Sequence, residues 1–144
     1  MVARFGKLRY NDNMKLTEHS RNRLLETFKV WEVPKDFAEP MFNYLVYGYQ
    51  PGSCFTAVLA NDFINAIRSS HPANTVEAFK ALAGWISETL PPKAYGSYAK
   101  VDAWCDITWD GRRPILEKHG LVYTKEQEMM LVLSGEKTIE PILW

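Results

Sequence analysis

The sequence predicts a mainly α protein, a compact bundle of about five to six helices with minor β structure near the termini. Three observations predict it. Apolar residues recur at helical spacing in several separate segments, Pro and Gly punctuation falls between those segments, and both ends lack the helical pattern. At 144 residues, 47% apolar and 24% charged, the chain has the composition of an ordered protein and the length for one core. It reads as a single globular domain over residues 1–144, with residues 1–16 as a candidate flexible arm or short strand around the turn Tyr10-Asn11-Asp12-Asn13.

The first helix is expected from Thr17 to about Trp31. Leu24, Leu25, Phe28 and Trp31 share one side, Arg21, Arg23, Glu26 and Lys29 lie largely away from it, and Val33-Pro34 closes it. A second, from Pro34 to about Tyr47, turns Phe37, Met41, Phe42 and Leu45 inward, with Pro40 delaying or kinking its start. The third runs from Ser53, as helix cap, to about Ser69, and the adjacent polar pair Asn61 and Asp62 interrupts its apolar pattern. Asn74-Thr75-Val76-Glu77 has the acceptor and returning carboxylate of a capping box. Val76, Phe79, Leu82, Ile86 and Leu90 then mark a fourth helix, which Pro91-Pro92 stops.

Gly96-Ser97 opens a fifth helix with Tyr98, Val101, Trp104 and Cys105 inward and Asp110-Gly111 as its end. Beyond it, Pro114 to Gly120 is a helical turn and Leu121-Val122-Tyr123 starts a short strand. Thr124-Lys125-Glu126-Gln127 is a second capping box, and Met129, Met130, Val132 and Leu133 follow before a stop at Gly135, an apolar run that is either core, the default, or an adaptable protein contact. Lys137 to Trp144 is expected to be extended.

Seventeen basic residues balance seventeen acidic ones, so no net field draws the chain to nucleic acid or an anionic membrane. Cys54 and Cys105 are far apart and lack metal-ligand spacing, which points to two reduced, buried thiols and no metal. No run approaches the roughly 20 apolar residues that span a bilayer, and the N-terminus lacks a signal core, so the expected location is cytoplasmic.

One string goes beyond punctuation: Tyr47-Gly48, Pro51-Gly52-Ser53-Cys54-Phe55 and Ala57-Val58-Leu59-Ala60-Asn61-Asp62-Phe63, followed by Ala66, Arg68, Asn74, Tyr95-Gly96-Ser97 and Val101-x-x-Trp104. From Tyr44 to Trp104 this resembles a group of small bacteriophage and prophage proteins of largely unknown function. The resemblance implies a helical fold, a phage origin and hence the host cytoplasm, but no reaction. Cys54 departs from it, standing where a larger apolar residue is expected. Separately, Gly135-Glu136-Lys137-Thr138-Ile139-Glu140 is similar to the Gly-x-Lys-x-x-Glu motif of ASCH domains, which resemble RNA-binding folds, with Ile142 where a basic residue is expected.

The candidate binding residues are Tyr47, Tyr49, Gln50, Asn61, Asp62, Trp109, Arg112 and Arg113. Either one of Asn61 and Asp62 ties down a neighbouring loop through its backbone amides while the other is solvated, or the two line a polar cleft with Tyr47, Tyr49 and Gln50. Trp109 with Arg112 and Arg113 is either a solvated helix end or an aromatic and cationic rim that takes a nucleotide. His19, His71 and His119 lack i, i+4 partners, and Ser53 lacks a Gly-x-Ser-x-Gly elbow, so no catalytic residue is assigned and no cofactor is expected.

The resulting expectation is a non-enzymatic phage accessory binding protein that inhibits a host factor or sequesters a host defence nucleotide signal. Its partners are then a host protein or a nucleotide-like small molecule, with no membrane and with homo-oligomerisation open. One alternative is an RNA or single-stranded DNA binding module using Arg112, Arg113, Lys125 and Lys137; the other is a nucleotide-processing enzyme dependent on Asp62.

Overall fold

The computed structural model describes residues 16–135 and the backbone of residues 138–139. Its elements are β1 (Leu16–Thr17), α1 (Glu18–Trp31), α2 (Ala38–Phe42), α3 (Ser53–Leu59), α4 (Phe63–Ser69), α5 (Val76–Thr89), α6 (Tyr98–Asp106), α7 (Trp109–Lys118), α8 (Lys125–Leu133) and β2 (Thr138–Ile139). The chain is mainly helical, as expected, but the described residues form eight α-helices, more than five to six. The short β structure near the ends is one antiparallel pair, with Leu16 opposite Ile139 and Thr17 opposite Thr138. The expected arm at residues 1–16 and the extended segment from Lys137 to Trp144 otherwise lie outside the described residues.

Helices α1 and α5 pack against each other. Phe28 meets Trp85 edge to face with ring centroids 4.6 Å apart, and the Trp85 indole donates to Thr27 Oγ1 at 2.9 Å. That polar tip would otherwise be costly inside a core where each fully buried large side chain contributes about 1.5–3 kcal/mol. Gly84 permits the close crossing, since a Cβ there would sit 2.8 Å from the Trp31 ring. Leu24, Phe28, Phe37, Met41, Phe42, Phe79, Leu82 and Trp85 belong to one continuous buried cluster.

The second segment is helical from Lys35 to Tyr47 but changes winding along the way. A 3₁₀ turn at Lys35–Phe37 leads into α2, and a π-type turn follows at Asn43–Tyr47. Phe37, Met41, Phe42 and Leu45 are buried as their spacing predicts.

The third segment is not one helix. Asn61 adopts φ of +65°, and the chain restarts at Phe63 with Asp62 as N-cap, its carboxylate accepting the Asn65 amide at 3.4 Å. Asn tolerates the left-handed region and Asp caps well, so Asn61 and Asp62 divide two helices; they are not a pair carried on one. Gly52, not Ser53, is the N-cap of α3, and no side chain caps that end.

At α5 the cap lies one residue later than expected. Thr75 accepts the Ala78 amide at 3.1 Å, so Asn74 and Glu77 do not form the capping box, and Val76 is exposed. Helix α6 starts at the Ser97 cap but stops at Asp106. Asp110-Gly111 lies inside α7, where Thr108 is the N-cap and Pro114 is tolerated in the interior. Leu121 and Val122 form a bend and Tyr123 is irregular, so no strand starts there. The capping box at α8 is present in both directions, Gln127 N–H to Thr124 Oγ1 and Thr124 N–H to Gln127 Oε1.

Candidate functional site

The aromatic turn and the arginines of α7 meet in the interior. The π-type turn buries Tyr44 and Tyr47 and ends at Gly48, whose φ of +71° suits glycine. A Cβ there would also lie 2.9 Å from Arg112 Nη1 and 3.1 Å from the Cys105 carbonyl. Arg112 fills the space that glycine leaves. Its Nη2 donates to the Val46 carbonyl at 2.8 Å and its Nη1 to the Ile107 carbonyl. One guanidinium thus joins the turn after α2 to the link between α6 and α7, using the fork geometry that lysine lacks. Alongside, the Tyr44 hydroxyl donates to the Ala94 carbonyl at 2.7 Å, and burial, more than the neighbouring Cys105 and Asp102, pushes that phenol far above its usual range.

Trp109, Arg112 and Arg113 are therefore interior residues, at 2%, 1% and 3% exposure. Both guanidinium groups lie over the Trp109 ring, at 6.0 Å for Arg112 and 5.7 Å for Arg113. Arg113 also donates to Glu117 Oε2 at 2.8 Å and to the Tyr123 carbonyl at 3.3 Å. The grouping expected from sequence is present, but it is not an open rim. The guanidinium groups donate instead to the fold's own carbonyls and to the Glu117 carboxylate.

Tyr49 is half-buried, its ring centroid 6.0 Å from that of Tyr47, and Gln50 is exposed. The other half of the expected polar cleft is directed elsewhere. Asn61 is exposed at the α3–α4 break, while Asp62 Oδ2 accepts from the Tyr98 hydroxyl at 2.6 Å and from Asn65 Nδ2 at 2.9 Å. The Tyr98 hydroxyl, then Asn65, hold the Asp62 carboxyl below the usual carboxylate range, and the same bond pushes the Tyr98 phenol up. Gly96 N–H donates to the Leu59 carbonyl at 2.8 Å, so two separated parts of the chain, Leu59 to Phe63 and Tyr95 to Tyr98, are neighbours. Of the two readings for Asp62, this is the one that ties down a neighbouring segment, although Tyr98 itself faces outward, not inward as its spacing suggests.

Helix α8 reverses the expectation of a core helix. Met129, Met130, Val132 and Leu133 are 65%, 65%, 45% and 76% exposed, whereas Glu128 is buried. The Glu128 carboxylate accepts from the Thr17 amide at 2.8 Å and from the Ser20 hydroxyl, which in turn accepts from the Tyr123 amide at 3.4 Å. A carboxylate at the N-terminus of α1 also meets the positive end of that helix. Hydropathy gave no signal for Glu128.

Surface cavities lie along the described residues. One of about 410 Å³ lies between α1 and α2, with Leu24, Leu25 and Phe42 below and Arg21, Asp36 and Glu39 at its margin. A second of about 410 Å³ adjoins it through Leu25 and Lys35, and a third of about 260 Å³ lies by Asp110, Arg113, Glu117 and Lys125. Each mixes both signs of charge, so none selects one class of ionic ligand. Among the described residues no group of three or more His, Cys, Asp or Glu could hold a metal ion. No described helix is long and apolar enough to cross a membrane. Lys137, Glu136 and Glu140 of the ASCH-like motif lie outside the described residues.

No family model matches the chain, and neither a curated protein nor a solved structure matches it.

Proposed function

We propose that this is a non-enzymatic phage accessory protein that acts by binding a host protein through the outward face of α8. The observation that carries the reading is the orientation of that helix: a well-capped helix that buries a glutamate and presents two methionines, a valine and a leucine. Contiguous exposed apolar side chains mark contact surfaces, and methionine adapts its shape to a partner. The phage origin rests on the resemblance of the string from Tyr44 to Trp104.

Sequestration of a nucleotide receives less support, because Trp109, Arg112 and Arg113 are buried and both guanidinium groups already donate to carbonyls of the fold. The nucleic-acid alternative is weakened by the same burial, which leaves Lys125 as the exposed one of its described cations.

The test is capture from bacterial lysate with three baits: the native protein, Met130→Glu on the proposed face, and Val76→Glu at an exposed site on α5. One host protein should be retained in near-stoichiometric amount by the native and Val76→Glu baits and lost with Met130→Glu. Equal retention by all three baits would remove α8 from the function. A bound oligonucleotide that dissociates steeply with salt would favour the nucleic-acid alternative.

A further inference from the structure

Resting on the reading of α8 as the docking face, we propose that the partner meets it with an amphipathic helix and seats an arginine or lysine of that helix in the cavity between α7 and α8. The starting point is the order of residues along the exposed stripe of α8. At about 100° per residue, Glu126, Met129, Met130 and Leu133 fall within about 100° of one another, on the side away from the buried Glu128. The stripe runs about 10.5 Å, from a carboxylate in the first turn of the helix to a leucine at its end.

The carboxylate end of the stripe is also one wall of a cavity. That space, about 260 Å³, is lined by Asp110, Arg113, Pro114 and Glu117 of α7 and by Lys125 and Glu126 of α8. By itself it carries both signs, but the two are not equally presented. The Arg113 guanidinium is buried and donates to Glu117 and to the Tyr123 carbonyl, so its charge is turned into the fold. Asp110 and Glu126 are exposed and Glu117 is partly so, against Lys125 as the exposed cation of the lining. A cationic side chain that enters there meets an excess of carboxylates, whereas an anionic one is repelled.

The apolar part of the stripe sets the form of the partner. An α-helix offers no unpaired strand edge, so recognition falls to side chains. Glu126, Met129, Met130 and Leu133 stand at i, i+3, i+4 and i+7, the ridge spacing that matches a second helix laid along the first. Met129, Met130 and Leu133 then contact the apolar side of that helix, and the two methionines adapt to its side chains. The partner's cation lies about one helical turn beyond this contact, because Glu126 precedes Met129 and Met130 by three and four residues. The cation also fixes which way the partner helix runs along α8, and its aliphatic stem can lie over Pro114.

The experiment selects binders to the full chain from a displayed library of helical peptides randomised along one face, with the Leu133→Glu chain as counter-selection, since Leu133 is exposed at the end of the stripe away from the cavity. Recovered peptides should repeat large apolar residues at helical spacing, with arginine or lysine one turn beyond them. The affinity of the best synthetic peptide should fall about tenfold when Asp110→Asn and Glu126→Gln are combined, and by a similar factor when its own cation becomes glutamine. Both changes together should cost little more than either, as a double-mutant cycle requires of partners in contact. Glu77→Gln, which removes an exposed carboxylate on α5, should leave affinity unchanged. If the double variant loses helical circular dichroism, Glu126→Gln alone carries the cycle. Peptides without basic enrichment, additive losses in the cycle, or an equal loss with Glu77→Gln would overturn the seating of the cation and leave the docking face standing. Peptides that bind the native and Leu133→Glu chains equally, or no recovered peptide, would sink the docking reading and this inference with it.

Discussion

Helices α7 and α8 face opposite ways chemically. The first buries Arg112 and Arg113; the second buries Glu128 and exposes Met129, Met130 and Leu133. What separates them from hydropathic expectation is the same in both cases. Backbone groups elsewhere in the fold need partners, and a charged side chain within reach meets that need better than an apolar one. Arg112 takes the carbonyls of Val46 and Ile107, and Glu128 takes the Thr17 amide at the start of α1. A charged residue that completes backbone hydrogen bonding is a structural member wherever its sequence neighbours suggest it belongs.

The sharpest way to break this comparison is Arg112→Ala. It strands the buried Val46 carbonyl and the partly buried Ile107 carbonyl and opens a void against Gly48, and the loss should be about 2–5 kcal/mol in urea unfolding. Arg112→Lys should recover little, because a single ammonium cannot reproduce the fork that reaches both carbonyls. Were Arg112 a ligand contact on an open rim, either variant would leave the unfolding midpoint within error and alter only binding.

Glu128→Ala comes next. It removes a charge-assisted acceptor from the Thr17 amide and Ser20 hydroxyl, and the expected cost is about 1.5–3 kcal/mol. The loss should concentrate at the start of α1 and along α8, so amide exchange there should quicken before the α1–α5 core opens. Uniform exchange across the chain would mean that the carboxylate does not anchor α8.

The link between Asp62 and Tyr98 is exposed, and its effect should show in pH dependence. The Asp62 carboxyl is depressed, so its contribution is present above the ordinary carboxylate range and is lost as pH falls through the depressed value. The Tyr98 phenol is raised, so its contribution is present below the ordinary tyrosine range and is lost as pH rises through the raised value. The tie between α4 and α6 should hold across neutral pH and fail at both extremes. Tyr98→Phe should shift the Asp62 titration upward toward ordinary carboxylates, as followed by carboxyl NMR; an unmoved titration would show that the hydroxyl is not its main partner.

Much of the fold was legible because it depends on local rules. The inward residues Leu24, Phe28, Met41, Phe79, Leu82 and Trp104 follow helical spacing, and the box at Thr124 and Gln127 is complete within four residues. The break at Asn61 was hidden because Ala57 to Ile67 keeps helical apolar spacing straight through it, and a positive φ at Asn61 followed by the non-helical cap at Asp62 separates α3 from α4. For the candidate site, the association of Trp109 with both arginines was readable from their proximity in sequence. Their burial was not, since it depends on the carbonyls of Val46 and Tyr123, which are remote from Arg112 and near Arg113 only through the fold. Glu128 stayed unseen for the same reason: its partners Thr17 and Ser20 lie at the far end of the chain.

The smallest stability effect is expected where the largest binding effect is, at Met130→Glu. Solvent already reaches about two thirds of this side chain, so the charge enters water and folding stability should stay within about 0.5 kcal/mol of native. In a docked complex the same carboxylate would be buried against an apolar partner surface without a counter-ion, and affinity should fall at least on the order of tenfold. Measuring both quantities on one preparation separates the two helices cleanly. Arg112→Ala should damage folding and reduce binding only as far as it unfolds the chain, whereas Met130→Glu should damage binding alone. If Met130→Glu instead lowers stability by an amount comparable to Arg112→Ala, then α8 is packed as core, and the opposition between the two helices fails.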